Sequence, residues 1–241
     1  MTKIKVLGIS GSPRIKSNTS ILVKEALKGA ESLGAKTEFI SLAGKRIEPC
    51  DSCKFCFQNE IQGICKIKDD AEEIIGKMLA VNGIIIGSPV YFGGITGLLK
   101  CLMERCLVVN ILKDEIAHQE RIKLGKYTPE NVKDLELDMR LRNKVGGAIA
   151  VGGNLSGGQE HAIIEIHSFF LIMDMIVVSD GGIRTSGIHP HFGGVGTSKK
   201  KEGIVKDTYA MKTSFSLGMR VAEVTSMIYA NLVRGFKIFS G

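Results

Sequence analysis

Lys3-Ile-Lys-Val-Leu-Gly8, running on into Ile9-Ser-Gly-Ser-Pro-Arg-Ile-Lys-Ser-Asn-Thr19, decides how the chain is read. A short apolar run of strand character empties into a loop of glycine, proline and hydroxyl residues. A helical pattern follows, with Ile21, Leu22, Ala26, Leu27 and Ala30 on one face. Such a loop turns backbone N–H groups and hydroxyls toward one point in front of a helix N-terminus. The unpaired amides and the positive end of the helix dipole favour a phosphate there. Ser10, Ser12, Ser17, Asn18 and Thr19 all carry side-chain donors, and Gly11 permits a tight turn. The stretch has neither the Gly-Lys-Ser/Thr of a nucleoside triphosphate loop nor the G-x-G-x-x-G of a dinucleotide site. An ordinary Ser-rich helix cap would account for the hydroxyls by themselves; the rest of the chain favours a phosphate cradle.

Outward from that stretch, apolar strand-like runs alternate with helical patterns, which predicts a parallel sheet with helices on both faces. Residues 36–42 read as the second strand, and a helix begins near Asp69-Asp70, two acids suited to a helix N-terminus. Gly83-Ile-Ile-Ile-Gly87 is a buried third strand, ending in Ser88-Pro-Val-Tyr-Phe-Gly-Gly94 before a helix from about Ile95. The fourth strand, 145–151, leads into Gly152-Gly-Asn-Leu-Ser-Gly-Gly-Gln-Glu160 and an apolar helix. Residues 175–179 form the fifth strand, 180–206 a long Gly-rich loop, and Asp207 opens the last helix. The charged segment at about 108–144 is open between a helical excursion and a flap. With no internal repeat and no linker, residues 1–241 are expected to form one domain.

Loops 10–19, 88–94 and 152–160 follow strands one, three and four. In a five-stranded, flavodoxin-like order of 2-1-3-4-5 they converge beyond the carboxyl ends of the strands, where such sheets bind ligands. A phosphate nest, a Pro-Tyr-Phe-Gly-Gly wall and a facing glycine-rich loop suit a flat aromatic ring with a phosphate tail. FMN fits that description.

Composition narrows the alternatives. No apolar run reaches the roughly 18–20 residues of a membrane span and no signal-peptide core is visible, so a cytoplasmic protein without membrane contact is expected. The net charge of +7 is spread along the chain, with only Lys199-Lys-Lys201 as a run. Without a nucleic-acid motif, that excess reads as a solvated surface that attracts small anions, and no nucleic-acid partner is expected. Six cysteines in such a chain are not a disulfide framework.

Cys50, Cys53, Cys56 and Cys65, in a loop insertion over 43–68 after strand two, are spaced C-x2-C-x2-C-x8-C. Three thiolates two residues apart can wrap one small inorganic object, and the doubled spacing is typical of cubane iron–sulfur ligation. Structural zinc takes four thiolates too, commonly from two separated pairs. Packing as small hydrophobes or thiol redox exchange are the remaining readings. Lys54 and Lys66 lie close enough in sequence to offset thiolate charge. Cys101 and Cys106 have apolar neighbours and read as core residues, and no role is assigned to the histidines.

Gly11-Ser-Pro-Arg-x-x-Ser-Asn-Thr19, Ser88-Pro-Val-Tyr91, the Leu99-Lys to Arg105 stretch and Gly152-Gly-x-x-x-Gly-Gly-Gln-Glu160 resemble the NADPH-dependent FMN reductase family. With the cysteines added, the chain is similar to iron–sulfur flavoproteins of anaerobic archaea and bacteria, although the eight-residue gap before Cys65 exceeds the usual spacing. The resemblance implies FMN, a [4Fe–4S] cluster held by the four cysteines, and a homodimer or homotetramer that brings cluster and flavin of neighbouring subunits close. By position, the FMN phosphate would meet Ser10, Ser12, Arg14, Ser17, Asn18 and Thr19. Pro89, Val90, Tyr91, Phe92 and Gly93 would lie along the ring, with Gly152, Gly153 and Asn154 near its edge.

Flavin exchanges electrons in pairs or singly, whereas an iron–sulfur cluster moves one at a time. The expected activity is therefore an oxidoreductase linking a ferredoxin-like carrier, or NAD(P)H, to a small acceptor, with no protein acid or base as catalytic residue. A cluster-free NAD(P)H-dependent flavin or quinone reductase, a non-catalytic redox carrier or sensor, and a zinc-stabilised nucleotide-binding module are the rival expectations.

Overall fold

In the computed structural model, the described residues are 4–58, 64–112, 137–154, 156–181, 192–197 and 203–233. Strands β1 (Lys5–Ser10), β2 (Lys36–Ser41), β3 (Gly83–Pro89) and β6 (Val145–Gly152) pair in parallel in the order β2-β1-β3-β6. Every residue of β6 is buried, as is all of β3 but its last, which is why both read as unbroken apolar runs. At the sheet edge, β2 exposes alternate residues. The two-residue period of the strands divides the core. Leu7, Ile9, Ile84, Ile86, Ala148 and Ala150 join one apolar layer, while Val6, Ile85, Val145, Ile149 and Val151 join the other.

Helices α3 (Ala71–Leu79), α4 (Gly97–Arg105) and α5 (Gln159–Ile172) supply the first layer, and α1 (Asn18–Ser32) and α6 (Thr208–Val233) the second. A four-residue helix, α2 (Phe55–Gln58), lies in the cysteine segment. The expected flavodoxin-like architecture and its strand order are present.

The fifth position of the sheet differs from the expectation. Strand β7 (Ile176–Val178) pairs with Val145, Gly146 and Gly147, whereas β8 (Gly194–Thr197) continues the same position beside Ile149, Ala150, Val151 and Gly152. Part of the predicted 180–206 loop is thus strand. Two glycines in the four residues of Gly-Val-Gly-Thr mask the strand preference of its Val and Thr. Its pairing is made possible by Gly193, where a Cβ would collide with the Ala148 carbonyl. Residues 182–191 and 198–202 of that loop lie outside the described residues. Within the charged segment, β4 (Asn110–Leu112) and β5 (Leu137–Met139) form an antiparallel ribbon, and residues 113–136 lie outside the described set.

Candidate flavin and thiol sites

Because β1, β3 and β6 are adjacent and parallel, their following loops leave one edge of the sheet, and hydrogen bonds tie them together. Gly11 N donates to Gly87 O at 2.7 Å, and the Thr96 hydroxyl, capping α4, donates to Gly11 O at 2.7 Å. Ser88, buried, accepts from Thr96 N at 3.1 Å and donates to Pro89 O. Val90 N donates to Val151 O at 2.9 Å, joining the second loop to the third.

In the first loop Ser17 is the N-cap of α1, its side chain accepting from Ser20 N at 3.0 Å. The Ser17 and Ser20 hydroxyls lie 2.8 Å apart, and Ser20 donates onward to the buried Ser10 hydroxyl at 2.9 Å. This hydroxyl chain ties the cap of α1 to the end of β1 and stiffens the loop. Ser12, also buried, accepts from Arg14 N at 3.2 Å. Thr19 is buried, Asn18 is half-buried, and Arg14 is exposed beside them.

The second loop closes as a tight turn: Tyr91 N donates to Gly94 O at 2.9 Å, and Gly94 N to Tyr91 O at 3.1 Å. Its two central residues have positive φ, 49° at Phe92 and 86° at Gly93. Glycine adopts this readily, but phenylalanine does so at a cost. Phe92 is nevertheless fully exposed and Tyr91 is 43% exposed, so both aromatic side chains face solvent.

Gly152 is buried while Gly153 and Asn154 are exposed at the mouth. The third loop is braced by Gln159, whose amide donates to Asn154 O at 2.6 Å and accepts from Gly157 N at 2.8 Å. Gly158, with φ +91°, packs so closely on the second loop that a Cβ would lie 2.9 Å from Gly93 O. His161 Nδ1 sits 3.0 Å from that same oxygen, and Glu165 accepts from Ile95 N at 2.9 Å. Beyond this loop lies a cavity of about 640 Å³ lined by Gly157, His161, Val195, Thr197, Asp207 and Tyr209, among others. It is large enough for a small organic molecule.

One strand away, the segment after β2 carries the cysteines to the same sheet edge. All four are partly buried, and Cys56 and Cys65 pack against the apolar layer of α3 and α4. Burial pushes the Cys56 thiol up to about 11, and Cys65, Cys50 and Cys53 add to the effect. Ser52 and Lys54, between the first three cysteines, both have positive φ, which curls the chain on itself. Among the described residues, no three His, Cys, Asp or Glu form a ready-made metal cage.

Asp51 first, and then Cys53 and Cys65, hold the Lys66 ammonium above its ordinary value, so Lys66 does stand near the thiols. Lys66 pairs with Asp51 at 3.3 Å. The buried cation is Arg105 at the end of α4, paired with Asp69 at 2.6 Å, with both side chains at most 1% exposed. Burial opposes the charge on Arg105, but Asp69 and Cys65 outweigh it and hold the guanidinium above its ordinary value. Asp69, whose burial works the other way, is kept below the usual carboxylate range by Arg105 and by the amides of Glu48 and Ala71. Cys106, fully buried, is pushed up to about 12 by desolvation and is a core residue, as expected.

The model of the NADPH-dependent FMN reductase family matches residues 4–188. An iron–sulfur flavoprotein of Methanocaldococcus jannaschii is 43% identical over 93% of this chain and 99% of its own length. Another from Methanosarcina thermophila is 32% identical over 95% of this chain and 98% of its own. This chain belongs to that family.

Among solved structures, a WrbA-like flavodoxin from Agrobacterium tumefaciens superposes with a TM-score of 0.55 at 15% identity, over 94% of this chain and 99% of that one, a likeness of fold. As a member of the NADPH-dependent FMN reductase family, among its iron–sulfur flavoproteins, the chain is a flavin-dependent oxidoreductase. Among the described residues no helix is long and apolar enough to cross a membrane.

Sequence reasoning missed Ser20, Glu165 and the Arg105–Asp69 pair. Only the last had a visible signal. Arg105 falls on the stripe of Leu98, Leu99, Leu102 and Cys106, and a charge in an apolar stripe demands a buried partner. Asp69, read as a helix-end acid, is that partner.

Proposed function

We propose that this family member, as one flavodoxin-like domain, passes electrons between a ferredoxin-like one-electron carrier and a small acceptor, using FMN in the crevice and a [4Fe–4S] cluster in the cysteine segment. The observation that carries the reading is the knitting of three loops into one crevice, one strand away from a segment with four partly buried cysteines, two of them packed on the adjoining core. When bound, FMN supplies exchange of one or two electrons and the cluster exchange of one.

The chain's own residues bind and orient. The amides of the first loop, with Ser12, Asn18, Thr19 and the Arg14 cation, neutralise the phosphate, and the Ser10, Ser17 and Ser20 hydroxyls hold the loop in shape. Pro89, Val90, Tyr91, Phe92 and Gly93 offer a flat wall, and the small Gly152 and Gly153, with Asn154, leave room at the ring's edge. Cys50, Cys53, Cys56 and Cys65 are the thiolate ligands. The adjoining cavity admits the small acceptor. A homodimer or homotetramer would cover apolar surface that includes Phe92, Ile164, Leu171 and Ile172, all exposed.

A cluster-free NAD(P)H-dependent FMN reductase is the second reading, favoured by the family's description and by the lack of a ready-made metal cage among the described residues. Anaerobic rapid mixing separates the two. Reduced ferredoxin is expected to bleach the bound chromophores faster than NADPH does, with re-oxidation by a quinone or oxygen. Fast turnover with NADPH by iron-free protein, and none with ferredoxin, would establish the second reading instead.

A further inference from the structure

Arg105 makes three contacts that span the cysteine segment. Its Nη1 donates to Asp69 at 2.6 Å and to Glu48 O at 3.1 Å, and its Nη2 to Ile67 O at 2.9 Å. Glu48 precedes Cys50 and Ile67 follows Cys65, so one guanidinium on α4 staples both ends of the thiol-bearing loop. Of the two donors left over, a second Nη2–H and the Nε–H, the Nε atom is buried with no partner. A buried N–H of a charged group left unpaired is costly and calls for an acceptor.

The surroundings identify one. Arg105 lines a cavity of about 200 Å³ whose other polar side chains are Cys65 and Glu72. Glu72 lies at the surface, where Lys68 holds its carboxylate at 3.1 Å. The Val108, Val109, Ile75 and Leu79 side chains can accept nothing. Among the lining side chains Cys65 is the acceptor that remains, and it helps to hold the Arg105 guanidinium above its ordinary value.

We propose that Arg105 is a positioning residue for the iron–sulfur site, which fixes both ends of the ligand loop and supplies a charge-assisted N–H donor to the ligand sulfur of Cys65. The inference rests on the cluster reading above and goes beyond it by assigning how this chain sets the cluster's potential. A ligated thiolate is a far better acceptor than a thiol, which is how the orphan Nε becomes satisfied. Reduction adds one electron to an already anionic cluster, so a nearby cation and donor stabilise the reduced form and raise the potential. Asp69 counterbalances that effect.

The test is an anaerobic redox titration of the cluster, followed by electron paramagnetic resonance, on the wild type, Arg105→Lys and Asp69→Asn, with iron and sulfide measured on each. Arg105→Lys keeps the charge near Asp69 but removes the Nε–H. It is expected to lower the reduced-to-oxidised ratio at fixed applied potential by about tenfold, which is about 59 mV for one electron. Asp69→Asn leaves the guanidinium uncompensated and is expected to shift the ratio the opposite way. A merely structural pair would reduce cluster content without this antisymmetry. A loaded Arg105→Lys protein whose potential stays within twofold of wild type, or an Asp69→Asn shift in the same direction, overturns the proposal. If Arg105→Lys does not load, the Asp69→Asn shift alone decides. Wild-type protein without iron and sulfide would sink the cluster reading and this inference together, an outcome distinct from a loaded but unshifted variant.

Discussion

Replacing Gly158 by alanine tests whether the second and third loops form one crevice. The residue has φ +91°, a conformation that costs an L-amino acid roughly 1–2 kcal/mol. Its new Cβ would stand 2.9 Å from Gly93 O and 3.0 Å from Gly93 Cα, which are backbone atoms that cannot rotate away. Such overpacking adds about 1–3 kcal/mol, for a total of about 2–5 kcal/mol. The clash lies between two loops at the sheet edge, so they part before the core yields. Parting them stretches the 3.0 Å contact of His161 with Gly93 O and widens the flavin crevice. At about 1.4 kcal/mol per tenfold, FMN binding should weaken by at least about 25-fold. The assay is quenching of FMN fluorescence on titration with apoprotein, beside the apoprotein's Tm. A variant that binds FMN within threefold of wild type, with Tm unchanged, would refute the geometry.

Two further substitutions probe the scaffold. Burial holds the half-buried His167 below its ordinary value of 6.5, and its Nε2 has no partner. Above pH 6.5 the side chain is neutral in both folded and unfolded chains and costs nothing. As pH falls through 6.5 the unfolded chain takes up a proton that the fold resists, so stability declines until the folded pKa is passed. Urea midpoints should fall between pH 7.5 and 5.5 in the wild type and fall less in His167→Gln; equal declines would remove His167 as the cause. Gly76 is exposed in α3 with open space at its Cβ, so Gly76→Ala should stabilise by about 0.5–1 kcal/mol in urea denaturation. A loss of stability there would mean that α3 is not a free helical surface at that turn.

What could be read from the sequence follows physical rules. Central parallel strands must be apolar on both faces, so Gly83-Ile-Ile-Ile-Gly87 and the 145–151 run announced themselves. Once the strands are parallel, the loops after β1, β3 and β6 have to leave one edge, and their convergence was implied by strand order. Strand β8 was hidden, because Gly194 and Gly196 are there for close approach to neighbouring side chains, not for any propensity. Around the thiols, C-x2-C-x2-C named ligand types but not their electrostatic partners. Lys66, adjacent in sequence, pairs with Asp51 and also interacts with Cys53 and Cys65, while the buried charge at Cys65 arrives from α4 through folding alone. The hydroxyls of the first loop had two readings, helix cap and phosphate cradle. The first is met by Ser17, the cap, whose hydroxyl runs through Ser20 to Ser10; the second belongs to the proposed function.

The most direct measurement is the stoichiometry of cofactors on protein purified without oxygen. One FMN with about four iron and four sulfide per chain, in a yellow-brown protein, is the expected result. Protein that is colourless as purified, and that takes up neither FMN nor iron and sulfide on reconstitution, would contradict the account.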